Sequence, residues 1–78
     1  MIEKRNILGS KIKYYRLELN MTQDEFCSKL QLDGLKIDRT MISKIESCKR
    51  ELYDFEVLAI AKVLNVSIDD LYSYNSPK

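Results

Sequence analysis

A chain of 78 residues lies below the usual domain size of about 100 to 150, so it has room for one core and not for two. With 45% hydrophobic residues, two glycines and one proline, it is too apolar for a disordered segment and too poor in turn residues for a small β-sandwich or barrel. That leaves a helical fold. Thirteen basic against twelve acidic side chains give a net charge of +1, which taken alone argues against a polyanion as partner. The distribution is uneven, however. Residues 1–50 hold eleven basic and seven acidic side chains, a local +4, and residues 51–78 hold two and five, a local −3. A basic surface on the first part is compatible with that asymmetry.

The opening MIEKRN is charged and no apolar run of signal-peptide or membrane-span length follows it, so a cytoplasmic, non-membrane protein is expected. Cys27 and Cys48 form no CxxC and the chain has no histidine, so no metal site is expected and both thiols should be reduced. An enzyme reading fails on the same inventory. There is no His for base or metal work, no Gly-rich phosphate loop and no acidic pair in an evident cleft, so no catalytic residue and no cofactor is expected.

In chain order, Leu8, Ile12, Tyr15 and Leu19 recur at helical spacing, with Lys11, Lys13 and Arg16 pointing away from their centre. They predict a first helix over about 6–19, stopped by Asn20 in the left-handed position. Thr22-Gln23-Asp24-Glu25 is a capping box, and Met21 and Phe26 are spaced as a hydrophobic staple, which opens a second helix over 22–30 with Phe26, Cys27 and Leu30 buried. Residues 31–37 carry the Asp33-Gly34 turn signal and three apolar side chains, Leu32, Leu35 and Ile37. An ordered connection with Leu35 or Ile37 buried is therefore predicted, since such side chains cost free energy when left in water. Asp38 caps a third helix over 38–47, with Ile37 and Ile42 repeating the staple.

After Lys49-Arg50-Glu51, a fourth helix over 54–64 is capped by Tyr53 or Asp54, and its main stripe is Phe55, Val57, Leu58, Ala61 and Leu64. Ala59, Ile60 and Val63 lie off that stripe, so the helix is apolar on nearly all sides and one side needs a second partner. A homodimer through the C-terminal helices is expected, the alternative being that the fifth helix covers the side and leaves a monomer. Asn65 suits the left-handed position again. Ser67 then opens a fifth helix over 67–72, with Val66 and Leu71 as its staple and Asp69 and Asp70 favoured by the helix dipole. A frayed tail is expected over 73–78.

The third helix carries the chemistry. At about 100° per residue, Met41, Ile42 and Ile45 share an apolar arc, while Arg39, Thr40, Ser43, Lys44 and Ser47 share the opposite one. Every residue on that outer arc is a hydrogen-bond donor and none is acidic. Arg and Lys donate to guanine O6 and N7, Ser and Thr to bases or phosphates, and the major groove admits one α-helix. The bland alternative is a solvated helix face. A capped helix, a connection and a short helix with such a face, in that order, match the helix-turn-helix arrangement, whose second helix enters the groove.

At this point the chain resembles the Cro/cI-like helix-turn-helix regulators, also called the xenobiotic-response-element family, from about Leu8 to Tyr72. Leu8-Gly9 with Ile12, Tyr15 and Arg16 is similar to the family's first helix and Met21-Thr22-Gln23-Asp24-Glu25-Phe26 to its second. Ile42-Ser43-Lys44-Ile45-Glu46 is similar to the core of its recognition helix, and Ala61 to Leu71 (AKVLNVSIDDL) to its last two helices. The resemblance implies an all-α fold: a single 1–78 domain, a compact five-helix lambda-repressor-like unit with helices 2 and 3 as the helix-turn-helix and an extended connection between them. It implies sequence-specific binding of double-stranded DNA, at a palindromic operator, by a repressor-like transcriptional regulator.

By the same resemblance Arg39, Thr40 and Lys44 match positions that meet base edges, with Ser43 between them. Gln23 matches one that contacts phosphate or supports the recognition residues, and Ser47 and Lys49 match the loop that grips the phosphate backbone. Arg16 and Glu46 match a structural pair joining the first and third helices. The chain departs from the family in two places. The connection is about five residues longer than the usual short turn, which leaves the angle between helices 2 and 3 open. Cys48 stands where the family has Gly, a position that often needs a positive φ, so either a different ending of the third helix or another turn at Ser47 and Cys48 is expected. The competing function is a protein-interaction module on the same scaffold, an antitoxin or antirepressor-type partner. With no room for a sensor domain, the chain reads as a complete small regulator or as the DNA-binding part of a longer one.

Overall fold

The computed structural model describes residues 4–73. Five α-helices follow one another: α1 Gly9–Glu18, α2 Gln23–Leu32, α3 Arg39–Glu46, α4 Asp54–Leu64 and α5 Ile68–Tyr72, with no strand among the described residues. The expected tail over 73–78 lies, beyond Ser73, outside the described residues.

The starts of the helices follow the capping residues. The Thr22 hydroxyl accepts from Glu25 N–H at 3.0 Å while the Glu25 carboxylate accepts from Thr22 N–H at 2.8 Å. Asp38 accepts from Met41 N–H at 2.8 Å, and Ser67 and Asp70 form a second reciprocal box. At α4 the Glu56 carboxylate accepts from Tyr53 N–H at 3.0 Å. Only α1 starts late. Asn6 draws the N–H groups of Leu8 and Gly9 onto its own side chain at 2.9 and 2.7 Å. The Asn6 amide competes with the backbone ladder there, so the helix begins at Gly9 and not near residue 6.

Four helices end in one motif. Asn20, Gly34, Cys48 and Asn65 all take positive φ, at 57°, 98°, 64° and 59°. Each donates its N–H three residues back while the next residue donates five back: Met21 to Arg16 O, Leu35 to Leu30 O, Lys49 to Lys44 O and Val66 to Ala61 O. These are Schellman ends, and they satisfy carbonyls the helices would otherwise leave bare. Two expectations change as a result. The Asp33-Gly34 turn forms as expected and also caps α2, so the helix runs past residue 30 to Leu32, which is 88% exposed. Cys48 adopts the positive φ in spite of its Cβ, so α3 ends as a Gly-capped helix would.

The core gathers Leu8, Ile12, Met21, Phe26, Cys27, Leu30, Ile37, Ile42, Ile45, Val57, Ala59, Ile60, Ala61, Leu64 and Leu71. Ile37 is buried and Leu35 packs partly against the core, so the 33–38 connection is anchored from inside. The Ile37 carbonyl also accepts from Gln31 Nε2 at 2.8 Å. The fourth helix corrects the expected stripe. It packs against α1, α2 and α5, and these neighbours take up Ala59 and Ile60, whereas Phe55 and Leu58 stand 60% and 64% exposed. A helix apolar on all sides has no preferred face until its neighbours are in place. The first helix keeps Leu8, Ile12 and Tyr15 of its expected stripe toward the core, but Arg16 is buried beside them and Leu19, past the last turn, is exposed.

Candidate nucleic-acid interface

Helix α3 owes its position to its apolar arc. Ile42 and Ile45 are buried and Met41 half-buried, which turns Arg39, Thr40, Ser43 and Lys44 outward as exposed side chains. Gln23, the first residue of α2, joins them, and these five line one shallow groove of about 310 Å³. Ser47 and Lys49 are exposed beyond the last turn of α3 and outside that groove. The Ser47 hydroxyl bonds back to its own helix, to Ser43 O at 3.0 Å and Lys44 O at 3.2 Å.

A buried polar network supports the groove from below. Arg16 Nε and Nη2 donate to the two Glu46 oxygens at 2.6 and 3.0 Å, and Arg16 Nη1 donates to Met21 O at 2.7 Å. Gln23 Nε2 adds a further bond to Glu46 at 3.1 Å. The fork of Arg16 thus joins α1 to the inner side of α3 and to the residue before the α2 cap, while Glu46 also orients Gln23. Bidentate pairs of this kind fix geometry as well as energy. Arg16 and Glu46 bury their charges only because every polar atom is partnered, so loss of either strands the other.

Asp24 lies at the rim of the groove. Its carboxylate is 3.7 Å from Arg39 Nε, both side chains being well exposed. Sequence reasoning placed Asp24 only in a capping box, and a partner 15 positions away carries no local signal. Arg50, in the turn after α3, is engaged elsewhere: it forms a bidentate pair with Glu56 at 3.0 Å for each bond. Burial alone pushes the Glu56 carboxyl up, but the hydrogen bonds from Arg50 and from Tyr53 N–H, with the attraction of Arg50, outweigh it and hold it below the ordinary carboxylate range. Burial pushes the Cys27 thiol up, with the carboxylates of Asp38 and Asp24 adding to it, and both cysteines are free and buried.

A second, larger depression of about 490 Å³ is lined by Asp54, Phe55, Val57, Leu58, Ile68 and Tyr72. Apart from Asp54 and the Tyr72 hydroxyl its lining side chains are apolar, and no cationic side chain among them could meet a phosphate. Among the described residues there is no group of His, Cys, Asp and Glu able to hold a metal ion, and no helix is long and apolar enough to cross a membrane.

Comparison with curated proteins and with solved structures found no match. A family model described as Helix-turn-helix matches residues 12–71, more than half of the chain. That span holds α2, α3 and the network beneath them, with the capped α2, the connection and the outward polar face of α3 in the order such a unit requires. The chain belongs to the Cro/cI-like helix-turn-helix family of DNA-binding transcriptional regulators.

Proposed function

We propose that the protein binds duplex DNA sequence-specifically, in the cytoplasm, as a repressor-like regulator that reads the major groove with α3. The observation that carries this reading is the exposed groove whose lining residues, Gln23, Arg39, Thr40, Ser43 and Lys44, include no acid. Arg39, Thr40 and Lys44 meet base edges with Ser43 between them, and Gln23, Ser47 and Lys49 meet the phosphate backbone. With a net charge of only +1, non-specific attraction is modest and direct readout supplies most of the useful energy.

A homodimer on a palindromic operator completes the reading. Its support is the apolar face of Phe55, Leu58, Ile68 and Tyr72, not the Ala59, Ile60 and Val63 side named from the sequence, because α1, α2 and α5 enclose α4 on its other sides. Two copies joined there present two α3 helices to successive turns of the groove. The test is selection from a random duplex pool at stated salt, with sedimentation of the complex. Enrichment of a two-fold symmetric site bound by two chains is the expected result. No enrichment, with a monomer in solution, would transfer the apolar face to a different protein and favour the interaction-module function.

A further inference from the structure

We infer that Asn6 is a positioning residue for the DNA interface, one that holds the turn after α3 in the shape from which Lys49 meets the phosphate backbone. The inference rests on the phosphate role proposed for Lys49. Both ends of the Asn6 amide are used, in opposite directions. Its Oδ1 accepts from Leu8 and Gly9 N–H and so starts α1. Its Nδ2 donates to Ile45 O at 3.1 Å, in the last turn of α3, and to Arg50 O at 2.8 Å, beyond the turn. The preceding residue adds a third tie, Arg5 N–H to Cys48 O at 2.8 Å. Two consecutive residues therefore hold three carbonyls of the segment 45–50.

The α1 start lies directly on that segment. A Cβ at Gly9 would come within 2.3 Å of Ile45 O and 2.9 Å of Glu46 O, so only glycine permits the approach. The turn it meets is one that relaxes if released, since Cys48 sits at φ 64°, a conformation unfavourable for a residue with a Cβ. Lys49 follows directly, its N–H bonded to Lys44 O at 2.8 Å, so its direction is set by the shape of the turn. An amide is the side chain of this size that supplies an acceptor for α1 and donors for α3 together.

The test separates those two halves. Asn6→Asp keeps an acceptor for Leu8 and Gly9, because Asn and Asp cap about equally well, but turns an oxygen toward the Ile45 and Arg50 carbonyls. Asn6→Ser keeps a short acceptor and loses the reach, and it replaces Asn6→Asp if that variant does not fold by circular dichroism. Expected is a loss of roughly three- to tenfold on preferred and random duplex alike, with sequence preference unchanged and the salt slope smaller by about one unit. Amide exchange at Cys48 and Lys49 speeds up while that within α1 does not. Combined with Lys49→Ala, the Asn6 variant adds no further loss. Unchanged binding, or a loss additive with Lys49→Ala, overturns the inference while the role of Lys49 stands. A Lys49→Ala protein with an unaltered salt slope overturns that role and this inference with it.

Discussion

The outward face of α3 and the outward face of α4 with α5 are both open to solvent, yet they are built oppositely. On α3 the exposed side chains are Arg39, Thr40, Ser43 and Lys44, while Phe55, Leu58, Ile68 and Tyr72 stand exposed on α4 and α5. A polar exposed face asks for no explanation from stability, since water satisfies it. Its meaning comes from its donors, its lack of acids and the buried network that orients Gln23 beneath it. An apolar exposed face is the reverse. It costs free energy in water, and its presence points to a partner. In the proposed function the first face meets DNA and the other a second copy of the chain, and the 310 Å³ and 490 Å³ depressions lie on the two.

The contrast breaks first at its foundation. Glu46→Ala removes the partner of the buried Arg16 and is expected to cost about 3 to 5 kcal/mol of stability, measured by chemical denaturation, with Gln23 released as a consequence. A loss below about 1 kcal/mol would mean that the pair is solvated and does not set α3. Next in size is the recognition face itself. Arg39→Ala should cost roughly 1 to 3 kcal/mol on the preferred duplex and relax preference at one base pair, with little loss on random DNA. If Arg39→Ala and Lys44→Ala both leave preference unchanged in a folded protein, α3 does not read bases.

Phe55→Ser and Leu58→Ser sharpen the other side of the comparison. Each should change monomer stability by no more than about 0.5 kcal/mol, as for ordinary exposed sites, while shifting sedimentation toward monomer. A penalty of about 2 to 5 kcal/mol would instead mark them as core. The smallest effect links the two faces through the Arg50–Glu56 pair, which ties the turn after α3 to the start of α4. Because the folded state holds the Glu56 carboxyl below its ordinary range, its contribution is present in full above that range. It is lost as pH falls through the lowered value. A Glu56→Gln protein should therefore show a shallower loss of stability on acidification, read from denaturation midpoints across that interval. An identical pH profile in both proteins would remove the pair from the account.

Much of this molecule is local and was legible as such. Thr22, Asp38 and Ser67 cap helices, and Asn20 and Asn65 end them, because caps depend on residues within a few positions of one another. The amphipathic α3 could be oriented from its own periodicity, which is why its outer residues were found on one face. Tertiary contacts decided the rest. The periodicity of α1 alone turned Arg16 toward solvent; the family resemblance paired it with Glu46, 30 positions away, and the fold buries that pair. Cys48 looked like a break in the pattern until its carbonyl and its flanks were tied to Arg5 and Asn6.

What the chain determines by itself is the number and order of its helices, most of their caps and the polar face of α3, since each follows from side chains within one or two turns. Only the tertiary structure decided which side of α4 is core. Its apolar residues run all round, so periodicity has no maximum to report. The packing of α1, α2 and α5 against it buries Ala59 and Ile60 and leaves Phe55 and Leu58 in water.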